Sequence, residues 1–119
     1  MTREEIVSMV PGKQLDAEIA KNIFDGYDEI DGEVLRKDKF SGELFPWKMP
    51  RYSIDVSAAF EVVEKMRDHN RYAMIINLPE SGGFTCEFLQ QFCKERKLEN
   101  IAIGNISEAI CKAALMALI

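Results

Sequence analysis

A chain of 119 residues with 47% apolar and 29% charged side chains has the balance of one globular domain, long enough to bury a core and too short for a second. Its formal net charge of -5 opposes phosphate backbones, so nucleic acid is a poor partner. No apolar run reaches the roughly 18 residues that a membrane span requires, so no membrane association is expected.

The first residues, Met1 to Glu5, lack the basic stretch and apolar run of a secretory leader. Cys86, Cys93 and Cys111 are odd in number and far apart, which reads as reduced, packed thiols and not as a disulfide framework. Both observations lead to the expectation of a cytoplasmic protein.

Thr2 and Glu5 have capping-box spacing and introduce a short helix carrying Ile6, Val7, Met9 and Val10. Pro11-Gly12 breaks it, and a second helix is predicted over residues 13–24 on the spacing of Leu15, Ile19, Ala20, Ile23 and Phe24. Residues 25–49 read as a long loop with one short edge strand. Their carboxylates, Asp25, Asp28, Glu29, Asp31 and Glu33, lack the ordered ligand progression of a calcium loop and read as solvated, with no metal expected. Trp47, between Pro46 and Pro50, suits a loop folded over the core, and its indole can also stack on a flat ligand.

The run Pro50-Arg51-Tyr52-Ser53-Ile54-Asp55 is a turn that feeds a helix, with Asp55 as its cap and Ser53 as the competing cap. Val56, Ala59, Phe60, Val63 and Met66 form that helix's apolar stripe. Asn70-Arg71 closes it, and residues 72–78 read as a strand covered on both faces. After a turn over 79–83, Phe84, Cys86 and Phe88 alternate with polar residues. An antiparallel partner strand follows from this, extending toward Phe92, with a solvated turn over 94–97. Ile101-Ala102-Ile103 supplies another strand. Ser107 is then the expected N-cap of a last helix whose faces, Ile110, Ala113, Ala114, Ala117 and Leu118 with Leu115 and Met116 behind, are apolar almost all round. Such a helix is either wholly buried or used in self-association, and Glu108 with Lys112 forms an i,i+4 charge pair on it.

Enzyme constellations are absent from the pattern. His69 is the single histidine, no serine or cysteine stands in a nucleophile elbow, and Gly82-Gly83 has neither a dinucleotide fingerprint nor a phosphate-loop lysine. No cofactor is expected.

Three segments resemble the phage ABA sandwich family of small proteins from phages and prophages of Bacillus and related bacteria. They are Glu4-Glu5-Ile6 through Pro11-Gly12-Lys13-Gln14-Leu15-Asp16, the central Pro50 to Asp55 run through Glu64-Lys65-Met66, and Ser107-Glu108-Ala109-Ile110-Cys111-Lys112-Ala113-Ala114-Leu115. Residues 25–43 and 92–100 lie outside the resemblance. It implies an α+β fold, with helices packed on both sides of a small, mainly antiparallel sheet in one domain over residues 1–119, and expression in the cytoplasm of a bacterial host. It carries no catalytic residues with it.

The resulting expectation is a non-enzymatic phage accessory protein that binds a partner or small ligand as a homo-oligomer, through Trp47, Tyr52, Ser53, Asp55, Arg71 and Asn105. Two alternatives stand beside it. One is a counter-defence protein sequestering a nucleotide-like immune signal between subunits, with Trp47, Tyr52, Arg71 and Asn105 as stacking, hydroxyl, cationic and amide contacts. The other is a small metal-assisted enzyme using the Asp28 to Glu33 carboxylates. Trp47 and the turn from Tyr52 to Asp55 are expected to border one cleft or subunit boundary.

Overall fold

The computed structural model describes residues 1–24, 26–70, 72–77, 82–90 and 102–119. Helix α1 spans Arg3–Ser8, and Thr2 is its N-cap, with the Glu5 N–H donating to Thr2 Oγ1 at 3.2 Å, one half of the capping box that the spacing predicts. Gly12 then turns the chain at φ 144°, a backbone state open to glycine, and starts α2 at Lys13–Asn22. That helix stops two residues short of the predicted end. The Asn22 amide folds back onto the Glu18 carbonyl at 2.8 Å, while Ile23 and Phe24 leave the helix yet stay packed on the core.

Residues 25–49 correct the expectation of a long loop. They build a three-stranded antiparallel sheet of β1 Tyr27–Ile30, β2 Glu33–Lys37 and β3 Leu44–Phe45, in the order β1-β2-β3. The pivot is Asp31-Gly32. Both residues take positive φ, 53° and 81°, and join Ile30 to Glu33 by a two-residue turn whose twist matches that of the strands it links. Strand alternation and register place Tyr27, Glu29, Val34, Arg36 and Phe45 on one face and Asp28, Ile30, Leu35, Lys37 and Leu44 on the other. The first of these faces meets α2.

Residues 51–55 form a tight turn in which Asp55 N–H donates to the Arg51 carbonyl at 2.8 Å. Asp55 is the N-cap of α3, Val56–Asn70, through the Ser57 N–H bond to its Oδ1 at 2.9 Å. The buried stripe of α3 is rotated from the one predicted. Ala58, Ala59, Val62 and Met66 face the core, whereas Val56 and Phe60 are each 42% exposed.

The second sheet, β4 Tyr72–Asn77, β5 Phe84–Gln90 and β6 Ala102–Gly104, is antiparallel throughout in the order β4-β5-β6. Helix α4, Ile106–Ala117, lies across β5 and β6 and packs on α3. Its N-cap is Asn105 and not Ser107: the Asn105 side chain accepts the Glu108 N–H at 2.8 Å. Ser107 is buried one residue inside the helix, and its hydroxyl donates to the Ile54 carbonyl at 3.3 Å.

Residues from Ala109 to Met116 are buried within the single chain, which accounts for the all-round apolar character of α4 and leaves it no argument for self-association. Lys112 is buried with them. Its ammonium donates to Glu108 at 3.0 Å and to the Val7 carbonyl at 2.9 Å, so the predicted i,i+4 charge pair lies in the interior and also ties α4 to α1.

The fold is α+β, with its antiparallel strands divided between two small sheets instead of gathered in one. Among the described residues, no helix is long and apolar enough to cross a membrane. The predicted extension toward Phe92 and the turn over 94–97 lie outside the described residues.

Candidate functional site

A cleft of about 830 Å³ opens between the start of α2 and the β1-β2 hairpin. Lys13, Gln14, Glu18 and Lys21 are among the residues of one wall, Glu29, Glu33 and Val34 among those of the other, and Trp47, Met49, Arg51 and Ile54 also line it.

A buried polar latch sets the first wall. Asp16 and Ser53 are 4% and 0% exposed, and the Ser53 N–H and hydroxyl both donate to Asp16 Oδ1, at 2.7 and 2.6 Å. Ser53 Oγ in turn accepts the Gly12 N–H at 2.8 Å. A buried carboxylate needs donors to replace water, and these bonds supply them while clamping the 51–55 turn onto α2. Lys13 and Arg51 therefore stand on one rigid unit, separated by 38 positions of sequence from 13 to 51.

The second wall is held by the hairpin. Trp47 stacks on Tyr27 with centroids 4.6 Å apart and planes 26° apart, and the Arg36 guanidinium lies 6.0 Å from the indole. Lys21 bonds Glu29 and lies 3.1 Å from Glu18, joining α2 to β1. The bond to Glu29 and the nearby Glu18 raise the ammonium pKa against the opposing effect of burial. Among the described residues, no carboxylate pairs with Lys13 or Arg51. The cleft thus carries two cations without a carboxylate partner, Lys13 and Arg51, beside the Glu18–Lys21–Glu29 ion-pair group, with Glu33 on the hairpin and the indole of Trp47 also lining it.

The residues singled out in the sequence fall in different places. Trp47 lines the cleft. Tyr52 lies in the core, 2% exposed and stacked on Phe24 at 5.1 Å, and desolvation raises its hydroxyl pKa. Ser53 is consumed by the latch and Asp55 by the α3 cap. Asn105 is exposed but occupied in capping α4. Arg71 lies outside the described residues. The turn does border the same cleft as Trp47, through Arg51 and Ile54 and not through the side chains that the motif made conspicuous.

Lys13 and Arg51 are not singled out by the sequence, and Glu29 and Glu33 only as carboxylates of the metal-assisted alternative. The available signals were the helix start behind Pro11-Gly12, which placed Lys13, and the Asp31-Gly32 turn, which would have set Glu29 and Glu33 on paired strands.

Cys93 lies outside the described residues. Cys86 and Cys111 are buried, and desolvation pushes the Cys86 thiol up to about 12 and raises that of Cys111 as well. Among the described residues, no three His, Cys, Asp or Glu side chains are grouped so as to hold a metal ion. The Asp28 to Glu33 carboxylates are instead distributed over two strands and their turn.

The chain matches no curated protein and no solved structure. The family model of the phage ABA sandwich domain matches residues 17–115, a span that takes in most of α2, both sheets, α3 and nearly all of α4. The chain belongs to the phage ABA sandwich domain family.

Proposed function

We propose that this phage protein works in the host cytoplasm as a binding protein that holds a small ligand in the α2-hairpin cleft and releases it unchanged. The ligand class is nucleotide-like: a flat ring bearing hydrogen-bond donors, joined to an anionic group. The observation that carries this reading is the placement of Lys13 and Arg51, without a carboxylate partner among the described residues, in one cleft with Glu29, Glu33 and the Trp47 indole. Cations on the latch suit a phosphate, carboxylates on the hairpin accept ring N–H groups, and an indole provides stacking area. The cleft volume of about 830 Å³ lies within the range of small-molecule sites. Buried thiols held protonated and a serine hydroxyl committed to Asp16 favour retention of a ligand over its turnover.

Titration calorimetry with a panel of linear and cyclic nucleotides tests this. Wild type is expected to bind at least one member and return it chemically intact. Lys13→Glu combined with Arg51→Glu should weaken that binding at least about tenfold, the loss of roughly one charge-assisted bond. No heat from any nucleotide, or a converted ligand on recovery, would overturn the reading.

A further inference from the structure

The structure points to a second surface, distinct from the cleft, which we propose docks a second copy of this chain about a two-fold axis. It joins the β2-β3 end of the small sheet to the outward face of α3.

The sheet end is a shallow hollow of about 330 Å³ bordered by Arg36, Lys37, Lys39, Phe40 and Phe45. Phe40 is 100% exposed and Phe45 is 41% exposed. Asp38 is the acidic group here, and its carboxylate is engaged within the loop, accepting the Phe40 N–H at 2.8 Å. In a chain of net charge -5, the hollow is a concentrated basic and aromatic patch.

The outward face of α3 has the opposite character. Val56 and Phe60 lie open there beside exposed Glu61 and Glu64. Tyr27 links the two patches: it is paired with Arg36 in the strand register, and the charge of Glu61 on α3 also acts on its hydroxyl.

A surface with a positive half beside a negative half, each bearing exposed aromatic groups, is complementary to its own copy rotated by 180°. The sheet end of one protomer then meets α3 of the other, and the reverse contact closes the pair with no free end for further growth. Solvent-exposed Phe40 gains cover that its own chain does not provide. An unrelated partner would have to reproduce both halves. The chain already carries them.

Sedimentation velocity over a concentration series, in low and high salt, tests the proposal. Wild type is expected to be dimeric, with a dissociation constant that rises as salt screens the charges. Lys37→Glu with Lys39→Glu, and separately Glu61→Lys with Glu64→Lys, should each run as monomers, because both contacts of either homodimer become repulsive. An equimolar mixture of the two variants should restore a dimer, since every contact is again between opposite charges. Phe40→Asp, at a site with no packing to lose, should raise the dissociation constant at least about tenfold, more than 1.4 kcal/mol. A wild type that stays monomeric throughout, or variants that fail to reassemble on mixing, would overturn it. So would a monomer whose Lys37 and Lys39 bind single-stranded DNA, which would give the patch a different partner.

Discussion

The helical core and the small sheet are built on opposite terms. In the core, Leu15, Ile19, Met66 and Ile110 are fully buried among α2, α3 and α4, and even Asp16 and Lys112 are enclosed with their hydrogen-bond partners. In the small sheet no residue is fully buried, and strands β1 and β2 hold together through their ladder, the Asp31-Gly32 turn and one face laid against α2. The core is where stability is concentrated. The sheet is a surface element whose side chains face the cleft on one side and the solvent on the other, which is what a recognition element requires.

The widest separation of the two regions should appear on truncating a leucine in each. Leu15→Ala removes a wholly buried side chain and is expected to cost about 3 kcal/mol in urea unfolding, whereas half-buried Leu35→Ala should cost less than about 1 kcal/mol. Equal losses would show that the small sheet is part of the core's cooperative unit.

Alkaline pH provides the next contrast. An unfolded thiol ionises near 9.0, while burial holds Cys86 protonated up to about 12 and raises Cys111 in the same direction. Between those limits the unfolded chain has released protons that the folded chain keeps, so stability is full below pH 9 and falls as pH rises toward 12. Urea midpoints at pH 8 and 11 should record a loss of about 3 kcal/mol from Cys86 alone, with Cys111 adding to it. A flat profile would mean that water reaches the thiols.

The smallest effect belongs to the hairpin. Gly32→Ala places a side chain at φ 81°, where nothing crowds it but the backbone disfavours it, at a cost of about 1 kcal/mol. Amide exchange should quicken on β1 and β2 while protection in α4 stays unchanged. Uniform acceleration across both regions would erase the distinction.

What could be read from the sequence follows the same division. The helices announced themselves through local chemistry: Thr2 with Glu5, the break at Pro11-Gly12, and Asp55 ahead of α3. The small sheet was missed although Asp31-Gly32 is a strong hairpin signal, because the strands around it are so rich in charge that their alternation is obscured. Asn105 lost its place to Ser107, since both can cap and only the backbone decides which residue stands just outside the helix.

The latch was illegible for another reason. Ser53 and Asp16 are 37 residues apart, and nothing local in either segment tells a capping serine from one that will close on a buried carboxylate. The same holds for Tyr52, whose stacking on Phe24 is a tertiary fact. The cleft inherits this limit, since Lys13 and Arg51 become neighbours only once the latch has closed.

Lys112 bonded to the Val7 carbonyl spans 105 residues, and that span constrains the order in which the chain can fold. Closing so long a loop is entropically unfavourable and brings no return until α4 is seated and its ammonium has left water. A helix of six residues has little persistence alone, so α1 forms its stable state only upon docking. Helix α1 is accordingly expected to acquire its native contacts late, its docking giving the buried lysine its carbonyl partner on Val7.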